Sequence, residues 1–313
     1  MSTATRRLLL GPQRPTLNLG EALGGFGLPE GPLAVISAGW QEAEGDINDV
    51  GEVVGRPLED LKLYARAESV FGDDPELADA HRERQRTLRE LQQLYRLRLK
   101  SLASAARQLL DADGDADILA AEQRHAFAQL RALDRHHEHN TEKLHSTFSQ
   151  QFDPRSRSSL AAHRREIEAI LERSAGVLIT GGNVIVLMNR MRLFDVAPLV
   201  AGRDVVGWSA GAMALARRIV LYHDRMPLER RTAELFGAGL GLAPGLVILP
   251  DPERRLRTRD ALRMSLLSRR FSPDTCITLG SGTALTVSGE KVIAVDGVER
   301  LTRNGGLAPV SVA

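Results

Sequence analysis

Hydrophobic and polar positions follow three different patterns along the chain. Residues 1–67 carry short apolar runs separated by Gly and Pro, and two of them, PLAVISAG at 32–39 and LKLYA at 61–65, predict buried strands. Residues 75–173 are charged and almost free of Gly, with apolar residues every three or four positions, which predicts long helices. From residue 175 onwards, short apolar runs again alternate with helical patterns.

The central zone predicts an antiparallel helical hairpin with a partly polar seam. A turn at DADGDAD (111–117) separates its two long helices, Asp153-Pro154 ends the second, and a third helix covers about 158–173. The apolar positions that define the two long helices are Leu88, Leu91, Tyr95, Leu102, Ala105 and Leu109, followed by Phe127, Leu130, Leu144 and Phe148. Helices of roughly 35 residues are each about 50 Å long, so they must project from a core or pack against a partner.

The last zone predicts strands that alternate with helices, and therefore a mainly parallel sheet covered on both faces. The candidate strands are 176–180, 204–209, 218–222, 245–250, 275–280, 284–288 and 291–295. The last three are closely spaced, which favours hairpin strands at a sheet edge. We therefore expect a split α/β domain, residues 1–67 and 174–313, interrupted by a helical hairpin insertion at 68–173.

Composition and charge restrict the class of protein. The chain has 313 residues, is 43% apolar and 26% charged, and carries a net charge of +1, which argues against a nucleic-acid-coating protein. A single cysteine, Cys276, excludes a disulfide framework within the chain. The apolar run before Gly11-Pro12 is too short for a signal peptide, and no stretch is long enough for a membrane span. We expect a cytoplasmic protein with no cofactor, no metal, no nucleic-acid partner and no membrane partner.

The segment DVVGWSAGAMALA, residues 204–216, carries the strongest chemical signal. Ser209 stands between Gly207 and Gly211 where a predicted strand meets a predicted helix, and this G-x-S-x-G pattern is that of a nucleophile elbow. The two glycines provide the space that a sharp turn needs. The alternative is a tight turn in which Ser209 caps the helix that follows.

A second glycine-rich turn precedes that elbow by one strand. Gly181, Gly182 and Asn183 follow the predicted strand at 176–180, and ligands in open α/β sheets bind at the carboxyl ends of strands. Backbone N–H groups at such a turn can hold an anion or an oxyanion. The two turns together place hydrogen-bond donors beside a candidate nucleophile.

TGGN followed by VVGWSAGA, with an aspartate about fifteen residues further on, resembles the peptidase E and cyanophycinase family of serine peptidases. The resemblance implies a class-I glutamine-amidotransferase-like fold, a flavodoxin-like three-layer α/β sandwich. It implies that Ser209 is the nucleophile and that Gly181, Gly182 and the N–H of Ala210 are oxyanion donors. Asp224, in HDRMP, matches the acidic triad member of the family's NDMP segment.

The family's catalytic histidine has no counterpart in LPDPERRLRTR. Its position is taken by Asp251, or by one of the flanking prolines in a shifted alignment, although the spaced arginines of the family persist. Those arginines are Arg255, Arg257 and Arg259. Without a base within hydrogen-bond reach, a serine hydroxyl is a poor nucleophile.

Among the eight histidines, only His223 follows Ser209 on the same side of the predicted sheet. Because adjacent residues of a strand face opposite sides, His223 and Asp224 cannot both point at Ser209 unless a loop holds them. His136 and His139 share a helix face that would permit a metal pair, but we interpret them, with His137 and His145, as part of a solvated face.

Other residues near the expected site have two interpretations. The arginines at 254, 255, 257, 259, 263, 269 and 270 either bind a carboxylate in the cleft or form a solvated basic face. Trp40 and Gln41 follow the first strand and could line the same mouth.

Three hypotheses for function stay open from the sequence. The first is a serine hydrolase that cuts a peptide or isopeptide bond of a small acidic peptide, with Asp224 orienting a base such as His223. The second is an inactive family member that binds a small peptide or acidic ligand, or that forms a homo-oligomer through the hairpin. In the third, Asp251 itself is the base and gives slow or altered chemistry.

Overall fold

A computed structural model of the chain describes residues 5–224 and 232–312. The strands in these residues are β1 Arg7–Leu10, β2 Leu33–Ile36, β3 Leu58–Asp60, β4 Gly176–Ile179, β5 Val205–Trp208, β6 Arg218–Leu221, β7 Glu234–Ala238, β8 Leu246–Pro250, β9 Thr275–Leu279, β10 Ala284–Ser288, β11 Lys291–Asp296, β12 Glu299–Leu301 and β13 Leu307–Pro309. The helices are α1 Leu19–Phe26, α2 Asn48–Val54, α3 Leu63–Asp73, α4 Pro75–Asp111, α5 Ala116–Gln151, α6 Ser158–Arg173, α7 Val184–Leu193, α8 Ala197–Val200, α9 Ala210–Leu215, α10 Pro252–Arg255 and α11 Ala261–Phe271, with a 3-10 helix at Ala38–Ala43.

The central sheet has seven strands in the order β11-β10-β1-β5-β4-β2-β3. The five strands from β1 to β3 in this order are parallel, whereas β10 and β11 are antiparallel and form one edge. The order β3-β2-β4-β5 is the flavodoxin-like order, in which the chain reverses its direction across the sheet between β2 and β4. This arrangement confirms the predicted α/β fold with a mainly parallel sheet.

Successive residues of the central strands point to opposite faces of the sheet and into two apolar layers. In β4, Val177 and Ile179 join a cluster with α3, α6, α7 and α9, whereas Leu178 joins a cluster with α1 and α2. Helices therefore cover both faces, as the near-continuous apolar strands require. The result is the three-layer sandwich that the sequence predicts.

Two smaller sheets lie beyond the central one. β8 and β9 are parallel and continue into β12 and β13, while β6 pairs with β7 in an antiparallel ribbon. Helix α11 covers the larger of these sheets through Met264, Leu267 and Phe271. His223 follows the carboxyl end of β6. Asp251, which stands where the resemblance places a histidine, follows the carboxyl end of β8.

The long hairpin is formed by α4 and α5, which have 37 and 36 residues. Asp74 caps the first of these helices by accepting the Leu77 amide, and Asp115 caps the second. Instead of projecting freely, the hairpin packs Tyr95 and Leu130 into the apolar cluster of α11 and the smaller sheets. Self-association through this hairpin stays a prediction. Leu94 on α4 is an exposed apolar residue that such an interface would cover.

Three of the predicted strands need correction. LKLYA (61–65) is wrong as a strand, because the strand is β3 at 58–60 and α3 begins at Leu63. The Asp60 carboxylate accepts the Lys62 amide at 2.9 Å, and Lys62 has a φ of +50°, so the chain turns there. The segment at 218–222 pairs with the unpredicted β7, not with the parallel sheet. The segment at 275–280 is a parallel neighbour of β8, not an edge hairpin strand.

The N-terminal apolar run is a central strand that the pattern did not predict. Arg7–Leu10 lies between β5 and β10 and is buried along its whole length. No helix in the described part of the chain is long and apolar enough to cross a membrane.

Candidate active site

Ser209 occupies a strained turn between β5 and α9. Its φ is +49° and its ψ is −112°, a conformation that residues with a side chain rarely adopt outside functional sites. A Cβ atom on Gly207 would lie 2.8 Å from the Gly211 carbonyl, and one on Gly211 would lie 2.1 Å from the Ile179 oxygen. The side chain of Ser209 makes no capping hydrogen bond to α9. The alternative that Ser209 merely caps the helix is therefore wrong.

The glycine turn after β4 lies directly against this serine. A Cβ atom on Gly181 would be 3.3 Å from the Cβ atom of Ser209. Gly182 has a φ of +103°, and a Cβ atom there would be 2.4 Å from the Gly39 oxygen, so this turn also requires glycine. Within the described residues, the amides of Gly181, Gly182 and Ala210 have no hydrogen-bond acceptor. All three predicted oxyanion donors are thus unpaired.

Asn183 serves the helix and not the cleft. Its side-chain oxygen accepts the amides of Ile185 and Val186 at 3.0 and 3.3 Å, which caps α7. Its own amide donates to the Gly39 oxygen at 2.8 Å. The expectation that Asn183 holds an oxyanion is corrected, because its backbone amide is already bonded and the residue does not line the Ser209 cleft.

A cleft of about 480 Å³ opens beside Ser209 at the carboxyl edge of the sheets. Its lining combines apolar side chains with predicted site residues, in line with the general character of small-molecule sites. The lining residues are Pro12, Gly182, Val184, Ser209, Ala210, Met213, Leu221, Tyr222, His223, Pro250, Asp251 and Arg255. The fold therefore brings the candidate nucleophile, an imidazole, a carboxylate and a guanidinium into one space.

His223 reaches the cleft from the end of β6. Its Nδ1 atom is buried and has no hydrogen-bond partner among the described residues. His223 and Ser209 are not hydrogen-bonded to each other. The Ser209 hydroxyl also has no hydrogen-bond partner among the described residues. Catalytic hydrogen bonds commonly tighten only when substrate is bound, so this geometry keeps His223 a candidate base.

Asp224 points away from Ser209. Its carboxylate accepts two hydrogen bonds from Arg263, at 2.7 and 3.1 Å, and one from the Arg257 amide at 3.3 Å. Both partners of this ion pair are buried. The expectation that Asp224 orients a base beside Ser209 is corrected, because adjacent residues diverge and this carboxylate is fully engaged. The residues after Asp224 in HDRMP lie outside the described part of the chain.

Asp251 stands at the end of β8, in the position where the resemblance places a histidine. It has a φ of +59°, and its carboxylate does not cap α10. The Asp251 amide donates a hydrogen bond to the Leu279 oxygen at 3.0 Å, and the Arg255 amide donates one to the Asp251 carbonyl, so the backbone is fixed there. Asp251 and Arg255 therefore enter the cleft together from one rigid turn.

A family model described as Peptidase family S51 matches residues 121–295. The chain belongs to peptidase family S51. This membership confirms the predicted resemblance and supports a peptidase-like hydrolase. The match begins inside α5, so it also covers part of the helical insertion.

Two solved structures resemble this S51 protein. One is a peptidase from an acI-B1 Actinobacterium, with 13% identity, 96% of this chain and 92% of that chain covered, and a TM-score of 0.48. The other is a putative peptidase E protein from Listeria monocytogenes EGD-e, with 12% identity, coverage of 96% and 100%, and a TM-score of 0.44. No curated protein sequence matches this chain.

Tyr222 lines the cleft beside Ser209, and the sequence did not predict it there. Its hydroxyl donates to the Pro250 oxygen and so joins the ends of β6 and β8. Burial raises the pKa of the Tyr222 phenol well above its usual value, so the group stays protonated and is a donor, not a base. The sequence signal for Tyr222 was its position as the last residue of the predicted strand at 218–222, because ligands bind at the carboxyl ends of strands.

The arginines of the 254–270 segment have separate roles in this S51 protein. Arg255 lines the Ser209 cleft, whereas Arg257 lines a second cavity on the Asp224 side. Arg263 and Arg270 are buried and paired with carboxylates. Arg255 is therefore the predicted arginine that faces the cleft, and the placement of Arg257 in it is corrected.

Of the hairpin histidines interpreted as a solvated face, His136 and His139 are exposed, whereas His137 is buried and has a structural role. His137 is buried, stacks on Tyr95 with ring centroids 4.2 Å apart, and bonds to Gln92 at 2.9 Å. Burial lowers the pKa of His137 to about 4, so the ring is neutral at pH 7. In the described residues, no group of three or more His, Cys, Asp or Glu side chains is placed to hold a metal.

Trp40 contacts Gly182 but does not line the cleft.

The elbow should be intolerant of a methyl group at Gly211. We expect Gly211→Ala to lower the free energy of unfolding by about 3 kcal/mol or more, because the new Cβ would overlap a backbone oxygen of β4. The matched control is Gly25→Ala in α1, where no atom lies within 4 Å of the added Cβ. The control should stabilise the protein by about 0.5–1 kcal/mol. Urea unfolding of both variants measures the contrast, and equal midpoints would contradict the described turn.

Proposed function

We propose that this protein is a serine hydrolase that cleaves a peptide or isopeptide bond, with Ser209 as its nucleophile. The carrying observation is the conformation of Ser209, held at a φ of +49° against Gly181 with no capping bond to stabilise it. Strain that serves no local hydrogen bond is typical of functional positions. The S51 family membership supports the same class of chemistry.

The proposed mechanism begins with attack of Ser209 Oγ on the substrate carbonyl carbon. His223 accepts the serine proton and later donates it to the leaving amine. The unpaired amides of Gly181, Gly182 and Ala210 stabilise the oxyanion of the tetrahedral intermediate. Water then hydrolyses the acyl-enzyme, again with His223 as base. No carboxylate orients the imidazole in this scheme, so we expect modest turnover.

Arg255 favours an acidic substrate. Its guanidinium lines the cleft, and within the described residues it forms no salt bridge that would neutralise it. A guanidinium binds a carboxylate through two parallel hydrogen bonds. A small peptide with a free carboxylate near the scissile bond therefore fits the cleft, as does a small acidic ligand.

A second candidate is an inactive family member that binds such a ligand without cleaving it. The pairing of Asp224 with Arg263 favours this candidate, because it removes the carboxylate that would complete a triad. The two candidates share one cleft and differ in turnover alone. A hydrolysis assay separates them.

The test is hydrolysis of a panel of short peptides that contain acidic residues, followed by mass spectrometry. We expect Ser209→Ala to lower the hydrolysis rate by a factor on the order of 10⁴ or more, because the nucleophile is lost. Ser288→Ala, at the end of strand β10 and outside the cleft lining, is the matched control and should retain the rate. Loss of turnover in neither variant would mean that another residue attacks.

A further inference from the structure

A further cavity, separate from the Ser209 cleft and from the cavity that Arg257 lines, lies between the helical hairpin and α7. It has a volume of about 300 Å³, which is at the lower end for a small-molecule site. Arg84 of α4 and His145 of α5 reach it from the hairpin, and Arg192 reaches it from the last turn of α7. The polar lining also includes Ser146 and Ser149 of α5 and the carboxylates of Glu142 and Asp195.

Unsatisfied hydrogen-bond groups gather in this cavity. Arg84 Nε, Arg192 Nη1 and His145 Nδ1 are buried and have no hydrogen-bond partner in the described part of the chain. They are three of the eight such side-chain atoms there, so the cavity holds an unusual share of them. Arg84 is 4% exposed and cannot turn to solvent. A buried donor without an acceptor is costly, and an acceptor in the cavity would relieve that cost.

The two arginines are also without a carboxylate partner. Among the described residues, neither Arg84 nor Arg192 forms a salt bridge. Arg84 instead stacks over the Phe148 ring at 3.7 Å, and its Nη2 atom contacts a neutral imidazole, His81, at 3.0 Å. Arg192 donates to a backbone oxygen, that of Ala238. Two cations therefore face one cavity without a counter-charge in contact.

The acidic residues at the rim do not fill this role. Asp195 already pairs with Arg155 at 3.0 Å and with Arg164 at 3.5 Å. Glu142 is exposed and acts on Arg192 only at longer range. Burial, together with the neighbouring Arg192, lowers the pKa of Arg84 to about 9, and burial lowers that of Arg192 to about 10. Both groups still carry their charge at neutral pH, and among the described lining carboxylates only Glu142, at longer range, is left to balance them.

We propose that this cavity binds a small oxyanion of the phosphate class, either free or as a monoester. The donors come from several directions, and a tetrahedral dianion has enough acceptor oxygens to meet them, whereas a carboxylate has two. Arg84 and Arg192 pair with its oxygens, and His145 and the serine hydroxyls complete the contacts. Because Arg84 and Arg192 come from the hairpin and from α7, the bound anion would also fasten the hairpin to the core.

The test is calorimetric titration and thermal unfolding of the full chain with inorganic phosphate, in chloride buffer. We expect saturable binding of one phosphate and a rise in the unfolding temperature with phosphate concentration. Arg84→Met and Arg192→Met should each weaken binding at least tenfold. Arg86→Met is the matched control, because Arg86 is exposed on the same helix and pairs with Glu83. It should leave phosphate binding unchanged.

Two further arms keep the test decisive. Should an arginine variant fail to fold, Ser149→Glu at the exposed rim should fold and lose phosphate binding, because its carboxylate would compete for the guanidinium groups. Glycerol 3-phosphate distinguishes the source: tighter binding than phosphate indicates a monoester site, and weaker binding indicates free phosphate. Absence of binding for both probes, or equal binding by wild type, Arg84→Met and Arg192→Met, would overturn the proposal.

Discussion

Replacing Arg270 with methionine is expected to lower the free energy of unfolding by about 3–5 kcal/mol. The guanidinium is completely buried and forms two hydrogen bonds with Asp134, at 2.7 and 2.8 Å. It also donates to the Ala233 oxygen at 2.6 Å and to the Tyr95 hydroxyl at 2.5 Å. Its loss would leave the Asp134 carboxylate buried without a compensating charge, which is the most costly outcome for a buried pair.

This pair joins the hairpin to the α/β core. Asp134 lies on α5 and Tyr95 on α4, while Arg270 belongs to α11. We therefore expect Arg270→Met to loosen the hairpin as well as to destabilise the chain. Urea unfolding measures the change, and protease sensitivity of the hairpin reports where it occurs.

Two control variants sharpen this prediction. Arg269→Met changes the neighbouring arginine, which is less buried and bonds to Ser265 and a backbone oxygen, and should cost about 1 kcal/mol or less. The double variant Arg270→Met with Asp134→Leu should recover most of the lost stability, because apolar pairs replace buried ion pairs at little cost. A double variant no more stable than Arg270→Met alone would contradict the charge argument.

Replacing His223 with glutamine is expected to lower the hydrolysis rate by about 10²–10⁴-fold, because the serine would lose its general base. Glutamine keeps hydrogen-bonding capacity and similar size but cannot accept the proton. Asp251→Asn should lower the rate less than tenfold if Asp251 only lines the cleft beside Arg255. The same peptide panel measures both variants.

The two variants also distinguish the bases that the cleft offers. A loss in Asp251→Asn that exceeds the loss in His223→Gln would make Asp251 the base, as one of the sequence-based hypotheses had it. Circular dichroism of each variant confirms that the fold is intact. Equal small losses in both would contradict a base in this cleft.

The sequence predicted the site wherever the signal was local. The elbow at Ser209 depends on two glycines that lie four positions apart, and a single strand-to-helix junction determines its geometry. His223 and Asp224 do diverge, but both lie beyond the end of β6, so strand alternation predicted the result and not its cause. The sequence nevertheless led us to expect that Asp224 orients a base beside Ser209. Its actual partner, Arg263, is 39 residues away, so no local pattern indicates the pair.

The errors in the fold have the same origin. LKLYA has the apolar content of a strand, yet the turn at Asp60 makes its leucines the end of a loop and the start of a helix, where both are still buried. Asn183 suits an oxyanion site by position, but its backbone amide donates to the Gly39 oxygen instead. The contacts of Arg270 and of Arg84 join segments far apart in the chain, so no local pattern indicates them.

The most direct measurement is labelling of the purified protein with a fluorophosphonate probe, because the probe requires no knowledge of the substrate. An activated Ser209 predicts one covalent adduct, located on Ser209 by peptide mass spectrometry. The adduct should be absent in Ser209→Ala and should form much more slowly in His223→Gln. Absence of labelling in the folded wild-type protein, or an adduct that persists in Ser209→Ala, would contradict a Ser209 nucleophile.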